Sequence, residues 1–587
     1  MTRSPGFLSA VLLFVFASPT FPQILPPAGQ GGPAAPSGTA QPAGAPRPGL
    51  PVRDRATSAA ATSGTAVMRG RVVAADGSPL RRAQVNLTAV AEAGGPLPRR
   101  GSTTDEQGRW EVTDLPAARY TVSASKGGYV TVQYGQRRPF EPGTQVNVAD
   151  AEKVEKIDIT LPKGAVIAGR ITDEFGEPVS GVTVQAMRYT YTNDGQRRLT
   201  ATSGAPTDDL GQFRVFGLMP GDYVVQAAGN AVLIGIGAPG PPAESFAATF
   251  YPGTANSEEA QTVSLGIGQE MNVQFQVTAQ RMTRVTGVVV GSDGTPLAGM
   301  SISLVTQIGA NGWSSSGAGS TAGDGTFTLT NVSPGEHQIT VRPARLGVEG
   351  EFASYTFTAA GEPLNVRVAT TRGATLSGRV VWEGSASHGV TPPRVNVQQQ
   401  TTQSMPFLGS GTVTGADGTF DDDNTFKLAG ASGKGFVRVL PLPPGWTIKS
   451  VTVDGEDVTD VPIDLTTRTA IDDIRIVLTD KLTDLTGHVN DSRGALAKDY
   501  VAVLLPAGLK AGVSPQRFIR TVRPDQDGYF HVKGLPPGNY TVIALDWIEQ
   551  GRQFVPSFQE ELRKAGKPLT LREGQSTTLE LALTTGL

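Results

Sequence analysis

Four histidines are the residues best suited to hold a catalytic metal, and their contexts read HQIT at His337, HGVT at His388, HVND at His488 and HVKG at His531. A hydrolytic zinc centre takes three protein ligands and leaves an open position for water. Peptide-cleaving centres of the H-x-x-E type draw two ligands from that pair, and no histidine here has glutamate at the required offset. H-E-x-x-H and G-x-S-x-G are absent as well. Cysteine is absent, which removes disulfides, thiolate zinc sites and cysteine nucleophiles. The expectation is a chain that is not an enzyme and holds neither cofactor nor metal.

Two acidic clusters offer hard oxygen ligands, Asp525-Gln526-Asp527-Gly528 and Asp421-Asp422-Asp423-Asn424. An EF-hand loop begun at Asp525 would need glutamate at its twelfth position and finds Pro536, so that cluster reads as a turn. The second reads as a solvated loop or a weak cation site. The ASGKG run at 431 mimics a phosphate loop, but Gly435 stands in the hydroxyl position and Leu428 in that of the first glycine. A flexible loop is expected there.

Aromatic side chains are the remaining route to ligand chemistry. A sugar stacks its apolar face on a rigid, exposed ring flanked by polar donors. Tyr134 in QYGQRRP, Tyr251 in FYPGT, Trp313 in NGWSSS and Trp547 in LDWIEQ are the candidate carbohydrate-binding residues. The competing reading for each is edge packing, and for Tyr134 and Tyr251 it is capping the end of a sandwich.

The elements that would carry these rings are marked by a spacing of ten residues. Trp110 precedes Tyr120, Phe213 precedes Tyr223, Phe327 precedes His337 and Phe530 precedes Tyr540. The last copy reads FHVKGLPPGNYTV. Alternation with period two puts Phe530, Val532, Tyr540, Val542 and Ala544 on one face of two strands. His531, Lys533, Thr541 and Ile543 fall on the other, with Ile543 the one apolar exception, and Leu535 plugs the end. His337 occupies the aromatic slot as a structural substitute. Turns precede the copies at Asp105–Gly108, Asp208–Gly211, Asp324-Gly325 and Asp527-Gly528. Upstream lies a second repeated element, RGRVVAADGSPLRRAQVNLTAV at 69 and its relatives at 168, 286 and, degraded, 486. Repetition of one supersecondary unit predicts an array. One buried and one wet face per strand predicts antiparallel β-sandwiches, an all-β chain.

The predicted boundaries are a signal peptide at 1–22, a Pro/Gly/Ala-rich disordered linker at 23–64, and five sandwiches at 65–163, 164–281, 282–371, 372–481 and 482–587. Arg3 and the apolar run Phe7 to Ala17 carry the export signal. No later run is long enough to span a bilayer, so no integral membrane segment is expected after signal removal. The fourth unit departs from the grammar: with Val437, Val439 and Leu442 on the repeat spacing, Trp446 arrives one residue early, and a bulge or register change is expected. One helix is predicted, Pro556 to Lys564, with Phe558 and Leu562 on one face. Short junctions predict a stiff, elongated rod. Net charge of -3 supplies no basic stripe, so nucleic acid is not an expected partner.

These motifs resemble carboxypeptidase regulatory-like domains, a group with a transthyretin-like (prealbumin-like) sandwich related to the B-type repeats of collagen-binding adhesins and placed within the carbohydrate-binding-like fold. The resemblance covers nearly all of the chain after Thr65 and implies fold and export, to the periplasm, the outer surface or the medium. It implies no activity. In adhesin repeats an internal Lys–Asn isopeptide bond needs a glutamate four residues after the hairpin aromatic, a slot that holds Ala124, Ala227, Val341 and Ala544 here. No such cross-link is expected. The leading functional reading is a scaffold or adhesion protein whose partner is a polysaccharide or another envelope protein. The alternative is a carbohydrate-binding protein, and the remotest is an accessory to a peptidase.

Overall fold

The computed structural model describes residues 64–586 apart from 91–98, 194, 230–232, 236–243, 309–311, 345–349, 385–395, 402–416, 421–423, 441, 444 and 467. The expected signal peptide and nearly all of the expected linker lie outside the described residues, as do Asp421 to Asp423. The described residues are nearly all β. Their one α-helix is Pro556–Ala565, where the apolar spacing placed it.

One strand arrangement recurs. In the stretch 65–163, strand Ala66–Ala74 lies between Arg109–Leu115, antiparallel to it, and the short strands Lys153–Val154 and Ile159–Leu161, parallel to it. The facing sheet sets Gln84–Ala89 between Arg99–Thr103 and Ala118–Ser125. In the stretch 164–281, Ala165–Thr172 lies between Gln212–Leu218 and Glu270–Gln276. The leading strands Thr283–Val290, Ala374–Glu383 and Asp484–Asn490 repeat the pattern, each with a parallel closing strand. A parallel neighbour needs a long crossover, and here the strands of the facing sheet supply it. Most pairs are antiparallel as expected; this closing pair was not legible in the alternation.

Each leading strand carries a glycine opposite an aromatic: Gly70 faces Trp110, Gly169 faces Phe213, Gly287 faces Phe327, Gly378 faces Phe426 and Gly487 faces Phe530. A Cβ at Gly287 would stand 2.5 Å from the Val366 carbonyl oxygen and 2.7 Å from the Phe327 ring. The ring can approach the strand this closely only because the side chain there is hydrogen.

The second member of each aromatic pair is fixed by its polar end. Tyr120, Tyr223 and Tyr540 donate their hydroxyls to the carbonyls of Pro116 at 2.8 Å, Met219 at 2.7 Å and Pro536 at 2.7 Å. Each acceptor lies four residues upstream, in the turn. The slot therefore demands a ring long enough to reach the turn and able to donate. Burial pushes the Tyr223 phenol up to about 12.

The expected buried face of the last copy is intact: Phe530, Val532, Leu535, Tyr540, Val542 and Ala544 share one core. Ile543 belongs to a second core on the opposite face, with Val503, Phe558 and Leu562, so the helix covers the apolar exception.

The fourth stretch corrects the sequence reading. Val437 and Val439 lie on the second hairpin strand, Lys434–Leu440, and the first is Thr425–Ala431, with Phe426 over Gly378. ASGKG is the end of that hairpin, where Lys434 pairs with Asp464 at 3.3 Å. Phe436 holds the ten-residue station but turns away from the core formed by Val437 and Val439, under the Arg438 guanidinium 4.6 Å from its centroid. The hairpin's one-residue shift thus sits at the ASGKG turn, and the strand that follows Trp446 carries the expected irregularity, between Ile448 and Ser450. Trp446 packs edge-on against Trp382 at 4.8 Å.

The rod is also corrected. The first and last stretches touch: Arg523 pairs with Glu141, Arg137 with Asp499 at 3.1 Å, and Gln145 forms a parallel bridge with Asp525. A linear series would hold them apart. Short junctions restrict rotation but do not set the turning angle at each step.

Candidate functional site

The loop from Gln133 to Thr144 follows the main hairpin of the first stretch and carries Tyr134. Tyr134 donates its amide to Val122 O at 2.8 Å and accepts from Thr144 N at 2.7 Å. Tyr251 holds the same station in the second stretch, donating to Val225 O at 2.9 Å and accepting from Gln261 N at 2.8 Å. Each ring is half-buried against its own core. Tyr251 meets Phe275 edge to face at 5.9 Å. Burial, then the charge of Asp158, pushes the Tyr134 phenol up. The two loops are therefore equivalent, as the Tyr-Gly and Tyr-Pro-Gly signals suggested.

The other two candidates stand apart. Trp547 follows strand Gly538–Leu545 and is 40% exposed. Trp313 lies on strand Gly312–Ser320 opposite Gln307; its side chain is outside the described residues.

What the Tyr134 loop does bring together is a set of charges. Glu141 and Arg523 have side chains only 2% and 4% exposed, and they pair directly. Arg523 also donates to Asp499 at 2.7 Å. Arg138 donates to the Asp546 carbonyl at 2.8 Å, next to Trp547. Nearby, Asn147 donates from Nδ2 to Asp525 Oδ2 at 2.8 Å, and its amide donates to Gln526 Oε1 at 3.0 Å. Asp525 Oδ1 accepts from the amides of Asp527 and Tyr529 at 3.0 and 2.9 Å. The acidic cluster at 525 is thus a turn, as read, and its carboxylate is committed to backbone and Asn147. Taking both charges out of water is costly, and losing either partner would leave the other buried and uncompensated. Sequence reasoning missed Glu141 and Arg523, because nothing local marks residues that meet only across two distant stretches.

A cleft of about 580 Å³ opens beside this contact, lined by Arg119, Asn147, Glu152, Gln526 and Asp527 among others. Val90, Ala117, Ala118, Val148 and Ala149 complete the lining, which has no aromatic ring and so offers no stacking platform.

The described histidines serve structure. His337 donates from Nε2 to Ser333 O at 2.7 Å, and its Nδ1 accepts from Thr306 Oγ1 at 2.9 Å. His488 packs against Tyr529 at 5.8 Å. His531 shares a hydrogen bond with Thr486 Oγ1 at 3.2 Å on its outward strand face. His388 lies outside the described residues. Among the described residues no group of three potential ligands is placed to hold a metal ion.

Residues 67–162 match the family model of the carboxypeptidase regulatory-like domain. That stretch is similar to this family, and its sheet plan recurs downstream. No curated protein matches the array. Among solved structures, a streptococcal ancillary pilin is 12% identical, covering 52% of the array and 98% of the pilin at a TM-score of 0.18. The minor pilin GBS52 of Streptococcus agalactiae is 14% identical over 37% and 97%, at 0.20. A putative carbohydrate binding protein of Pseudomonas aeruginosa is 17% identical over 17% and 90%, at 0.12. At these scores the likenesses carry no argument. The slots that would take an isopeptide-promoting acid, Ala124, Ala227, Val341 and Ala544, are buried core positions.

Proposed function

We propose that this chain is a non-catalytic scaffold or adhesion-type protein that acts outside the cytoplasm, with sandwich domains at 65–163, 164–281, 282–371, 372–481 and 482–587. The leader at 1–22 and the linker at 23–64 complete the design. The observation that carries the reading is the use of the Tyr134 loop. Glu141 and Arg138 on that loop join the first stretch to the last, so the loop that carries Tyr134 is taken up by a contact within the chain. Fractionation of the native host tests it: the protein is expected in the periplasm, at the outer surface or in the medium. Recovery in the cytoplasm would overturn the proposal.

A carbohydrate-binding role is the second reading. It is favoured by Tyr251, a ring fixed by Phe275 yet only half-buried. A glycan array separates the two. Specific binding lost in Tyr251→Ala or Tyr134→Ala supports sugar recognition; protein association indifferent to both supports the scaffold. Among the described residues no helix is long and apolar enough to cross a membrane.

A further inference from the structure

Strand Gln212–Leu218 ends the three-stranded sheet of the second stretch, and among the described residues no strand pairs with its outer edge. The equivalent strand of the third stretch is Thr326–Val332, since Phe213 faces Gly169 as Phe327 faces Gly287. There the outer edge is occupied. Leu233–Gly235, from the second stretch, adds to it antiparallel with Leu233 opposite Thr330. The chain itself therefore demonstrates that this edge accepts an added strand.

The open edge differs from its counterparts in its exposed side chains. Phe216 is 59% exposed, at the position held by Thr113, Thr330 and Lys533 in the other copies. Leu210 and Phe175, in the turns at one end of the same sheet, are 55% and 83% exposed, and Ile267, in the turn before its closing strand, is 67% exposed. Of the seven large apolar side chains left exposed among the described residues, one lies on this sheet and three in the turns that bound it. Soluble proteins usually blunt a free edge with charge, proline or a cover. Clustered apolar exposure marks an interaction surface.

We propose that the Gln212–Leu218 edge pairs antiparallel with the same edge of a second copy of the chain. A two-fold axis through Val215 sets Arg214 of each copy, whose guanidinium is tethered to Glu270 of its own sheet at 3.2 Å, opposite Phe216 of the other, on the solvent-facing side of the strands. Arginine over an aromatic face is favourable, and the chain already uses it: Arg188 lies 3.2 Å from the Phe140 centroid and Arg197 lies 4.0 Å from that of Tyr189. A register centred on Arg214 would instead set two guanidinium groups face to face, which is destabilising. Self-complementarity under a two-fold axis is what an isologous dimer requires, and it selects a second copy over an unrelated peptide.

Sedimentation velocity of the full chain over a range of concentrations tests the proposal. A reversible monomer–dimer equilibrium is expected. Phe216→Lys opposes Arg214 with like charge at two symmetry-related places and should weaken association roughly tenfold or more. Phe216→Glu opposes it with unlike charge and should retain the dimer. Both positions are exposed, and unchanged far-ultraviolet circular dichroism checks the fold. A chain that stays monomeric at every concentration overturns the proposal, even if it captures an extended peptide. A dimer that responds equally to Lys and Glu at 216 overturns it too.

Discussion

His337 donates to the Ser333 carbonyl at 2.7 Å, the same reach that Tyr540 makes to Pro536. An imidazole therefore does the work of a phenol in one copy of the hairpin, because the slot requires a ring with a donor at its far end rather than a particular residue. The difference shows when protons are added.

Burial pushes the His337 pKa below its ordinary 6.5, against a smaller opposite pull from the Ser333 carbonyl. On unfolding the ring regains its ordinary affinity, so the unfolded chain binds more protons just below pH 6.5. The stability contribution is full above that value and is lost as pH falls toward the folded pKa. His337→Tyr should restore the hydroxyl bond and remove this acid sensitivity in the third stretch. Hydrogen exchange of Gly335–Arg342 at pH 5 and pH 7.5 measures it; an unchanged pH difference in the variant would count against the assignment.

Gly287→Ala places a methyl against both the Val366 carbonyl and the Phe327 ring. Backbone on one side and a buried ring on the other leave no cheap relaxation, so a loss at the severe end of single substitutions, about 4 kcal/mol or more, is expected. Limited proteolysis should find new cleavage within 283–369. A variant as resistant as the parent would show that the strands can separate at little cost.

Arg523→Met leaves Glu141 buried without its partner. Removing one member of a buried pair costs about 3–5 kcal/mol. The loss should appear as separation of the first and last stretches, read as faster amide exchange in the loop from Gln133 to Thr144, with the cores of both stretches still protected. Exchange unchanged in that loop would mean that the contact does not depend on the pair.

Leu562→Ala should cost about 2–5 kcal/mol, because Leu562 is fully buried against the second core of the last stretch. The helix Pro556–Ala565 should lose protection before strand Gly538–Leu545 does, since that strand keeps the other core on its far face. Simultaneous loss of both would show that the two cores are one cooperative unit.

Much of the local structure was legible because it obeys local rules. Period-two alternation named Phe530, Val532, Tyr540 and Val542 as one face, and the apolar pair Phe558 and Leu562 named the helix. Asp-Gly turns fixed where strands reverse: Gly108 N donates to Asp105 O at 3.1 Å with Gly108 in the left-handed region at φ 72°. The fourth stretch was misread because ASGKG closes its hairpin without the Pro-Gly signal, so the nearby PPG drew the alignment onto the wrong strand.

The sequence by itself determined that the chain would be all β, repeated, and built on hairpins with a donor ring ten residues after an aromatic, since side-chain alternation and turn chemistry act between near neighbours. Only the tertiary structure decided that the closing strands run parallel, that Tyr134 and Tyr251 occupy matching stations, that one sheet edge of the second stretch lies open beside Phe216, and that Glu141 meets Arg523. The first three depend on which strands meet across a whole stretch, and the last on the angle at which each stretch leaves the one before it; both are set by packing between distant residues, which leaves no periodic trace in the order of residues.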